Sequence, residues 1–254
     1  MLYKDKKWFC EQVNQGKTVN IVAETFGVSK KTINNWEKIH GIKLKREKRK
    51  YQSSCDETFF NDIDTEEKAY ILGFIVADGC IGTSGKTGKG KYVDITVKTI
   101  DIDILEKIKK STRLLSNIKD KKNGEQKRIY LTSTKLCDQL EKYGVVKNKT
   151  RTVFLPMFKK SEMYRHFFRG LFDGDGYIGE RQFVLATGSK RLVEDLISFT
   201  REQFSLTPNI KTDKSGKNYL VTFSKKDKSF INYMYDNSQI YLDRKFDTYN
   251  RYWI

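Results

Sequence analysis

The sequence predicts an α+β protein made of two copies of one unit, preceded by a small all-α domain. Two observations support this fold class. An apolar segment ending in an acid and a glycine occurs at Asp78 and again 97 residues later at Asp175, and similar helical and alternating patterns follow both. Residues 1–45 instead carry a helix-turn-helix pattern. Each copy is expected to run helix, two strands, helix, two strands, helix (αββαββα), with bounds at 58–153 and 154–254.

The amino-terminal residues predict a DNA-binding helix-turn-helix over 1–45. Ala23 is small where two helices cross, Gly27 can take the positive φ of the turn, and Ser29 is a natural N-cap for the second helix. That helix is expected to present donors to phosphates and base edges in the major groove. The candidate contact residues are Lys30, Lys31, Thr32, Asn34, Asn35 and Lys38. The alternative is a helical hairpin that binds protein or binds nothing.

A basic segment follows, and residues 46–57 are interpreted as a linker. Residues 43–50 carry six positive charges and one negative charge, with little to bury. Such a linker can lie along DNA phosphates and raise affinity through effective concentration. A solvated tether of the same composition is the alternative.

The two repeated segments are predicted to be helices that pack closely on each other. Gly73 and Ala77 in the first copy, like Gly170 and Gly174 in the second, recur at a spacing of four residues. Each helix therefore has a face without bulk, on which a partner helix can approach closely. Gly73 and Gly170 are the expected positions of the helix interface.

The acids at the ends of these helices, Asp78 and Asp175, are then expected to be neighbours. Carboxylates a few ångströms apart repel each other and raise each other's pKa unless a cation lies between them. The pair therefore predicts a divalent-metal site.

Both segments resemble the LAGLIDADG motif of homing endonucleases, with Asp78 and Asp175 in the place of the metal-binding acid. Two motifs in one chain resemble the single-chain members, in which two four-stranded sheets form a pseudo-two-fold saddle over DNA. The resemblance implies that Ala77 and Gly174 contribute backbone carbonyls to the metals, and that the cofactor is Mg²⁺, with Mn²⁺ as a substitute. It also implies a monomer that cuts both DNA strands across the minor groove.

The strands of the first copy are expected to read DNA bases with one face. Residues 92–98 alternate strictly and turn Val93, Ile95 and Val97 toward a core. Residues 82–91 before them are interpreted as a hairpin tip, since Gly85-Lys86-Thr87 lacks the spacing of a phosphate-binding loop. The base-reading candidates are Tyr92, Asp94, Thr96, Lys98, Arg128, Tyr130 and Thr132, with Lys211 in the second copy.

The remaining elements follow from apolar spacing and turn signals. Residues 101–115 predict a helix that buries Ile104, Leu105, Ile108 and Leu115, and Asn123-Gly124 predicts a hairpin within 116–133. Ser133 or Thr134 is expected to cap a further helix. In the second copy, strands are expected around 183–187, 209–214 and 219–224, and helices over 191–204 and 230–235.

A lysine recurs at nearly the same place in each copy. Lys149 lies 71 residues after Asp78, and Lys245 lies 70 residues after Asp175. The resemblance implies that these lysines help to stabilise charge at the cut phosphate. Near alternatives are Lys147 and Arg244.

The resemblance also implies a water-ordering polar residue at the end of the strand after each motif. Lys98 is nearest to that position in the first copy, and Thr187 or Ser189 is nearest in the second.

Composition favours a nucleic-acid partner. Lys and Arg outnumber Asp and Glu by 49 to 32, a formal charge of +17, and no 18-residue apolar stretch supports a membrane association instead. The first seven residues lack the apolar core of a signal peptide, and the four cysteines form no CxxC pair. A reducing cytoplasm is therefore expected, in a bacterial or phage setting, with a nucleus or organelle left open.

These patterns predict a metal-dependent enzyme that hydrolyses phosphodiester bonds in double-stranded DNA. The resemblance further implies a site-specific homing endonuclease encoded by an intron or phage mobile element. Two alternatives use the same surface. One is a transcriptional regulator that binds DNA without cleaving it, and the other is an intron RNA maturase. A protein that only bound DNA would not need both acids and both lysines.

Overall fold

The protein folds into two compact units, Met1–Gln52 and Ser53–Ile254. The computed structural model describes residues 1–45, 54–84, 88 and 90–254, so most of the predicted linker (46–57) and much of the predicted hairpin tip (82–91) lie outside the described residues. Residues 54–57 are folded, and the linker prediction is wrong there. The reason is that the Cys55 side chain is buried and the Asp56 amide donates to the Thr112 carbonyl at 2.8 Å.

The amino-terminal unit contains, in its described part, the helices α1 (Lys6–Asn14), α2 (Val19–Thr25) and α3 (Lys30–His40). Phe9, Val22 and Ile33 lie in its small apolar core. Gly27 joins α2 to α3 with a φ of 61°, and the Ser29 hydroxyl accepts a hydrogen bond from the Thr32 amide at 3.1 Å. The helices and the turn lie where the sequence predicts them.

The second unit repeats one succession of elements. Its first copy comprises α4 (Glu66–Asp78), β1 (Gly79–Ser84), β2 (Gly90–Lys98), α5 (Ile102–Ser111), β3 (Lys119–Lys121), β4 (Gln126–Thr132) and α6 (Thr134–Glu141). The strands form an antiparallel four-stranded sheet in the order β1-β2-β4-β3. Asn123 has positive φ in the turn between β3 and β4, at the predicted hairpin.

The second copy comprises α7 (Met163–Asp175), β5 (Gly176–Ile178), β6 (Gln182–Thr187), α8 (Lys190–Phe204), β7 (Asn209–Thr212), β8 (Tyr219–Ser224) and α9 (Lys228–Tyr235), and α10 (Asp243–Tyr252) follows. Its antiparallel sheet has the same order, β5-β6-β8-β7. The predicted duplication of an αββαββα unit is therefore confirmed.

Helices cover one face of each sheet and leave the other face open. Helices α5 and α6 pack on the first sheet, and α8 packs on the second. Along β2 the side chains of Val93 and Ile95 are fully buried, whereas Asp94 and Thr96, which alternate with them, remain partly exposed. This alternation agrees with the prediction and gives each sheet an outward face.

One residue that was predicted to lie in the core, Leu115, is exposed. Helix α5 ends at Ser111, and Arg113 then takes a φ of 51°. This left-handed residue redirects the chain, so Leu114 is buried while Leu115 is 68% exposed. The helical spacing that pointed to Leu115 does not extend past the end of the helix.

In the part of the chain that the structure describes, every helix is too short or too polar to cross a membrane.

Candidate active site at the motif helices

The motif helices α4 and α7 are in backbone contact at Gly73 and Gly170. A Cβ atom on Gly73 would lie 2.0 Å from the carbonyl oxygen of Phe167, and one on Gly170 would lie 2.0 Å from that of Tyr70. Both distances are far inside van der Waals contact, so the interface has no room for a side chain at either position. The structure thus places both glycines at the helix interface.

Glycine is required at positions 79 and 176, which follow the two acids, because the chain there passes close to the backbone of the preceding helix. Both residues are extended, with φ of −81° and −98°. A Cβ atom on Gly79 would lie 2.6 Å from the Ile75 carbonyl oxygen, and one on Gly176 would lie 2.4 Å from that of Phe172. The strand therefore turns sharply out of each helix, and the acid stands at the junction.

The acids Asp78 and Asp175 are the last residues of α4 and α7, and the helix crossing brings them together. A Cβ atom on Gly174 would lie only 3.4 Å from Asp78 Oδ2, so this carboxylate lies against the end of the opposite helix. Both acids are exposed to solvent at the open end of the pair. The surrounding protein nevertheless desolvates them, and this effect, followed by the charge of Asp175, raises the pKa of Asp78 to about 6.

Desolvation also raises the pKa of Asp175, although the ammonium groups of Lys149 and Lys245 oppose the shift. Two neighbouring carboxylates with raised pKa values form a site that a bound cation would stabilise.

The lysines predicted beside the site lie at the carboxyl ends of the motif helices. Lys149 Nζ donates to the Ala77 carbonyl at 3.3 Å. Lys245 Nζ donates to three carbonyls of α7 and β5, at 2.6 to 2.7 Å, which belong to Phe172, Asp173 and Gly176. Burial lowers the pKa of both lysines, and the nearby carboxylates oppose that shift. Each lysine thus neutralises the negative end of one helix, beside its acid.

The alternative basic residues do not contact the motif helix ends, although Arg244 lines the cavity beside Asp78. Arg244 makes a two-pronged ion pair with Asp101 of the first copy, at 2.9 and 3.0 Å. Lys147 is exposed two residues before Lys149. The structure therefore brings Lys149 and Lys245, and neither alternative, into contact with the motif helix ends.

A polar cavity of about 360 Å³ opens beside Asp78 and is lined by both copies. Asp78, Lys98 and Gln126 belong to its first-copy wall, and Tyr177 and Lys245 belong to the second. Lys98 therefore lies near Asp78, and its water-ordering role stays a prediction. Gln126 was missed by the sequence reasoning because only the β2–β4 register, which pairs it with Lys98, shows that it reaches this wall.

The second-copy candidates for ordering water are placed differently. Ser189 is fully buried, caps α8 by accepting from the Leu192 amide at 3.3 Å, and donates to the Val153 carbonyl at 2.6 Å. The Thr187 hydroxyl accepts from the Ser189 amide at 3.2 Å. The assignment of a water-ordering role to Ser189 is wrong, because its hydroxyl is committed to a helix cap.

A buried polar cluster under the second motif was also missed. Asp173 is 2% exposed and accepts hydrogen bonds from the hydroxyls of Tyr70 and Tyr235 and from the Leu242 amide at 2.8 Å. Burial raises the pKa of this carboxyl. Since α10 begins at Asp243, these bonds fix the segment that carries Lys245. The available signal was an acid inside an apolar motif, where the first copy has Val76.

Arg169 forms a second buried connection between the copies. Its side chain is fully buried and donates to Glu66 Oε1 at 2.6 Å, to the Ile240 carbonyl at 2.8 Å and to the Met234 carbonyl at 2.5 Å. Glu66 Oε1 also accepts from the Gln239 and Ile240 amides. A buried ion pair of this kind is tolerated because each of its groups has several partners.

The predicted base-reading residues of the first copy lie together on the outward face of its sheet. Asp94 and Arg128 lie diagonally across β2 and β4 and form an ion pair, and the Arg128 guanidinium lies 4.5 Å from the Tyr130 ring centre. Thr132 is exposed at the end of β4, and Lys211 is exposed on β7 of the second sheet.

The predicted contact residues of α3 divide into two groups. Lys30, Lys31, Asn35 and Lys38 are exposed, as expected. Thr32 is half-buried, with its hydroxyl 2.9 Å from that of Ser29. Asn34 is also half-buried and its amide oxygen is shielded from solvent, so the prediction that it points outward is wrong. It adjoins the core residue Ile33 and lies at the border of the buried face.

The donor set at the acids suits a hard divalent cation. Across the described ranges, no three or more His, Cys, Asp or Glu side chains cluster to hold a metal. The candidate ligands are therefore two carboxylates, with main-chain carbonyls such as those of Ala77 and Gly174 beside them. An all-oxygen set of this kind fits Mg²⁺ or Ca²⁺ and does not fit a zinc site.

One family model matches more than half of the chain. The model of the LAGLIDADG-like domain matches residues 65–151 and 162–233, one segment in each copy. The chain is 27% identical over 185 residues to the replication factor C small subunit of Methanocaldococcus jannaschii, covering 72% of this chain and 10% of that protein. It is 24% identical over 155 residues to that of Thermococcus kodakarensis, covering 60% and 17%. The chain thus spans less than a fifth of either relative.

Solved structures share the fold at low identity. The homing endonuclease I-WcaI bound to its DNA recognition sequence matches with a TM-score of 0.53 and 18% identity, over 73% of this chain and 87% of its own. The meganuclease I-SmaMI bound to uncleaveable DNA matches with a TM-score of 0.51 and 15% identity, over 72% and 88%. Both matches support the two-copy α+β architecture.

Proposed function

Because the chain belongs to the family of LAGLIDADG-like domains, we propose that it is a site-specific endonuclease that hydrolyses one phosphodiester bond in each strand of double-stranded DNA. One observation carries the proposal. Two acids meet at the ends of two helices in backbone contact, and a buried lysine accompanies each helix end. The similar structures include a homing endonuclease bound to its DNA recognition sequence, and the proposal extends that activity to this chain.

In this proposal Asp78 and Asp175 hold divalent cations, with the carbonyls of Ala77 and Gly174 as further ligands. Bound Mg²⁺ would supply an activated water and neutralise charge on the leaving oxygen. The chain's own residues orient the reaction. Lys245, held by three carbonyls, fixes the end of α7 and hence the direction of Asp175. Lys149 has one longer bond, of 3.3 Å, and can turn toward a phosphate oxygen.

The charge of the protein supports DNA as the substrate. A formal charge of +17 attracts a polyanion, and the outward face of the first sheet adjoins Asp78 through the shared cavity. A regulator that only bound DNA would not need desolvated acids, which destabilise the metal-free protein at neutral pH. The site therefore favours cleavage over binding alone, and no observation specifically favours an RNA maturase.

The direct test is to recover cleaved molecules from a library of random DNA duplexes incubated with the full-length protein and Mg²⁺. The proposal expects one long sequence to be enriched, with cuts in both strands that depend on the added metal. Recovery of the same molecules in a chelator, or no enrichment at all, would contradict it.

The metal proposal leads to a pH prediction. The pKa of Asp78 is raised to about 6, so in the metal-free protein this carboxyl becomes protonated, and the fold gains stability, as the pH falls through 6 toward 5. Mg²⁺ requires the carboxylate, so its addition should raise the Tm at pH 7.5 and have little effect at pH 5. Calorimetry of the full chain measures both. The Asp78→Asn variant is the control, and an equal Mg²⁺ effect at both pH values would refute the assignment.

We further propose that α3 binds DNA next to the cleavage site. Residues 1–50 carry 13 Lys and Arg against 5 Asp and Glu, so they hold +8 of the total charge (13 − 5). The second unit has its own core, so a chain beginning at Ser53 should fold. It should still cleave, with weaker binding and a shorter footprint. Because each lost phosphate contact flattens the log–log salt dependence by about 0.9, the slope should fall by several units.

A matched variant tests α3 without truncation. Replacing Lys30, Lys31 and Lys38 by Gln removes three exposed charges from one helix face and leaves its core side intact. The slope should then fall by up to about 2.7, at an unchanged Tm. Parallel slopes and equal footprints for the full, truncated and substituted proteins would mean that this unit does not contact DNA.

A further inference from the structure

The outward faces of the two sheets carry different chemistry at equivalent positions. Asp94 pairs with Cys80, two residues after the first acid, and Val184 pairs with Tyr177, two residues after the second. Asp94 and Val184 are therefore equivalent. The same register, followed along the strands, makes three more pairs equivalent: Thr96 with Ala186, Arg128 with Leu220, and Tyr130 with Thr222.

The first face is charged and aromatic. Arg128 Nε donates to Asp94 at 3.3 Å, and the guanidinium lies over Tyr130. Thr96 donates to the same carboxylate at 3.1 Å and accepts from Lys121 Nζ at 3.4 Å. This network holds the Arg128 guanidinium in a fixed direction, because Asp94, which accepts its hydrogen bond, is itself hydrogen-bonded to Thr96.

The second face is apolar at its centre. Val184, Ala186 and Leu220 are half-buried and point away from the core residues Leu185 and Val221 that alternate with them. Thr222 adds a hydroxyl to this face, while Lys211 brings a cation only at the β7 edge of the sheet.

Both faces are continuous with the acid site. The cavity beside Asp78 is lined by Thr96 and Lys98 of the first face and by Tyr177 on β5 of the second sheet. A duplex whose phosphates reach the acids would therefore extend over both sheets, one on each side of the cut. This step depends on the proposed endonuclease function.

We propose that the first face selects guanine in one half of the target and that the second face selects thymine in the other half. The first face contacts guanine through its N7 and O6 acceptors, which a fixed Arg128 guanidinium can bind with two hydrogen bonds. The second face contacts the C5 methyl group of thymine, the one apolar feature that a base pair presents in the major groove. Val184, Ala186 and Leu220 bury such methyl groups without leaving a charge unpaired.

The test uses target duplexes recovered from the random library with the full-length protein. Thymine is replaced by uracil, which lacks only the methyl group, in one half of the target at a time. In the half read by the second sheet, each methyl removed should reduce binding by about fourfold. In the other half uracil should have little effect. Replacement of guanine by 7-deazaguanine, which lacks the N7 acceptor, should show the reverse pattern, with a loss of about tenfold per critical guanine in the first half.

A matched variant assigns each half to its sheet. Asp94→Val with Arg128→Leu gives the first face the residues found at the equivalent positions of the second, and removes both partners of the ion pair together. This variant should lose the 7-deazaguanine effect and gain a uracil effect in the same half. The other half should be unchanged, and the Tm should stay near that of the parent.

The outcomes separate this inference from the proposed function. Enriched and cleaved targets whose two halves respond equally to uracil and to 7-deazaguanine would overturn the inference and leave the endonuclease in place. A variant that keeps the guanine preference of the first half would overturn it as well. No enriched target at all would overturn the proposed function and, with it, the inference.

Discussion

Replacement of Asp78 or Asp175 by Asn is expected to abolish double-strand cleavage while DNA binding persists. An amide holds a divalent cation poorly, and loss of the metal removes several kcal/mol of transition-state stabilisation, or a factor of about a thousand in rate. Binding should be equal or tighter, because each substitution removes a negative charge that faces the DNA phosphates. Cleavage kinetics and gel shifts on one target measure the two effects separately.

The matched control for these variants is Asp247→Asn. Asp247 is an exposed acid on α10, two residues after Lys245 but outside the motif helices. It should cleave as the parent does. An Asp78→Asn protein that cuts both strands at the parental rate would show that this carboxylate is not part of the reaction centre.

Substitution of Gly73 or Gly170 by Ala is expected to destabilise the fold severely. The new Cβ atom would lie 2.0 Å from a carbonyl oxygen of the partner helix, and this oxygen belongs to the backbone, which cannot rotate away. The helices must separate, at a cost of about 3 kcal/mol or more. For a domain of this size the Tm should fall by roughly 6 to 12 °C.

Gly90→Ala serves as the control for this prediction. Its Cβ atom would meet chiefly the hydroxyl of Ser84, at 2.5 Å, which can turn to another rotamer. A small change in Tm is expected there. If Gly73→Ala melted at the same temperature as the parent, the backbone contact between α4 and α7 would not contribute to stability.

The sequence predicted the motif helices and the pairing of their acids because the information is local and repeated. The spacing of Gly73 to Ala77 fixes a smooth helix face, and its recurrence at Gly170 to Gly174 indicates which helix packs on it. The succession of helices and strands along the chain was also predictable, since alternation and the Asn123-Gly124 turn are short-range signals.

The residues that were missed depend on contacts distant in sequence. Asp173 accepts a hydrogen bond from Tyr70, 103 residues away, so the acid inside the apolar motif was visible in the sequence but its partner was not. Gln126 reaches the cavity wall only through the strand register. Ser189 was misassigned because it follows β6, where a water-ordering residue was expected. Its hydroxyl instead caps α8 and donates to the Val153 carbonyl, 36 residues away.

The ion pair between Glu66 and Arg169 limits how freely the two copies can be exchanged. Glu66 lies in the first copy, and the groups that it accepts hydrogen bonds from, Arg169, Gln239 and Ile240, all lie in the second. The residue equivalent to Arg169 in the first copy, six positions before the acid, is Leu72. Two first copies joined as a symmetric dimer would leave both Glu66 carboxylates without an arginine. A chimaeric protein that keeps this first copy must therefore take the arginine and the loop before α10 together from its new partner.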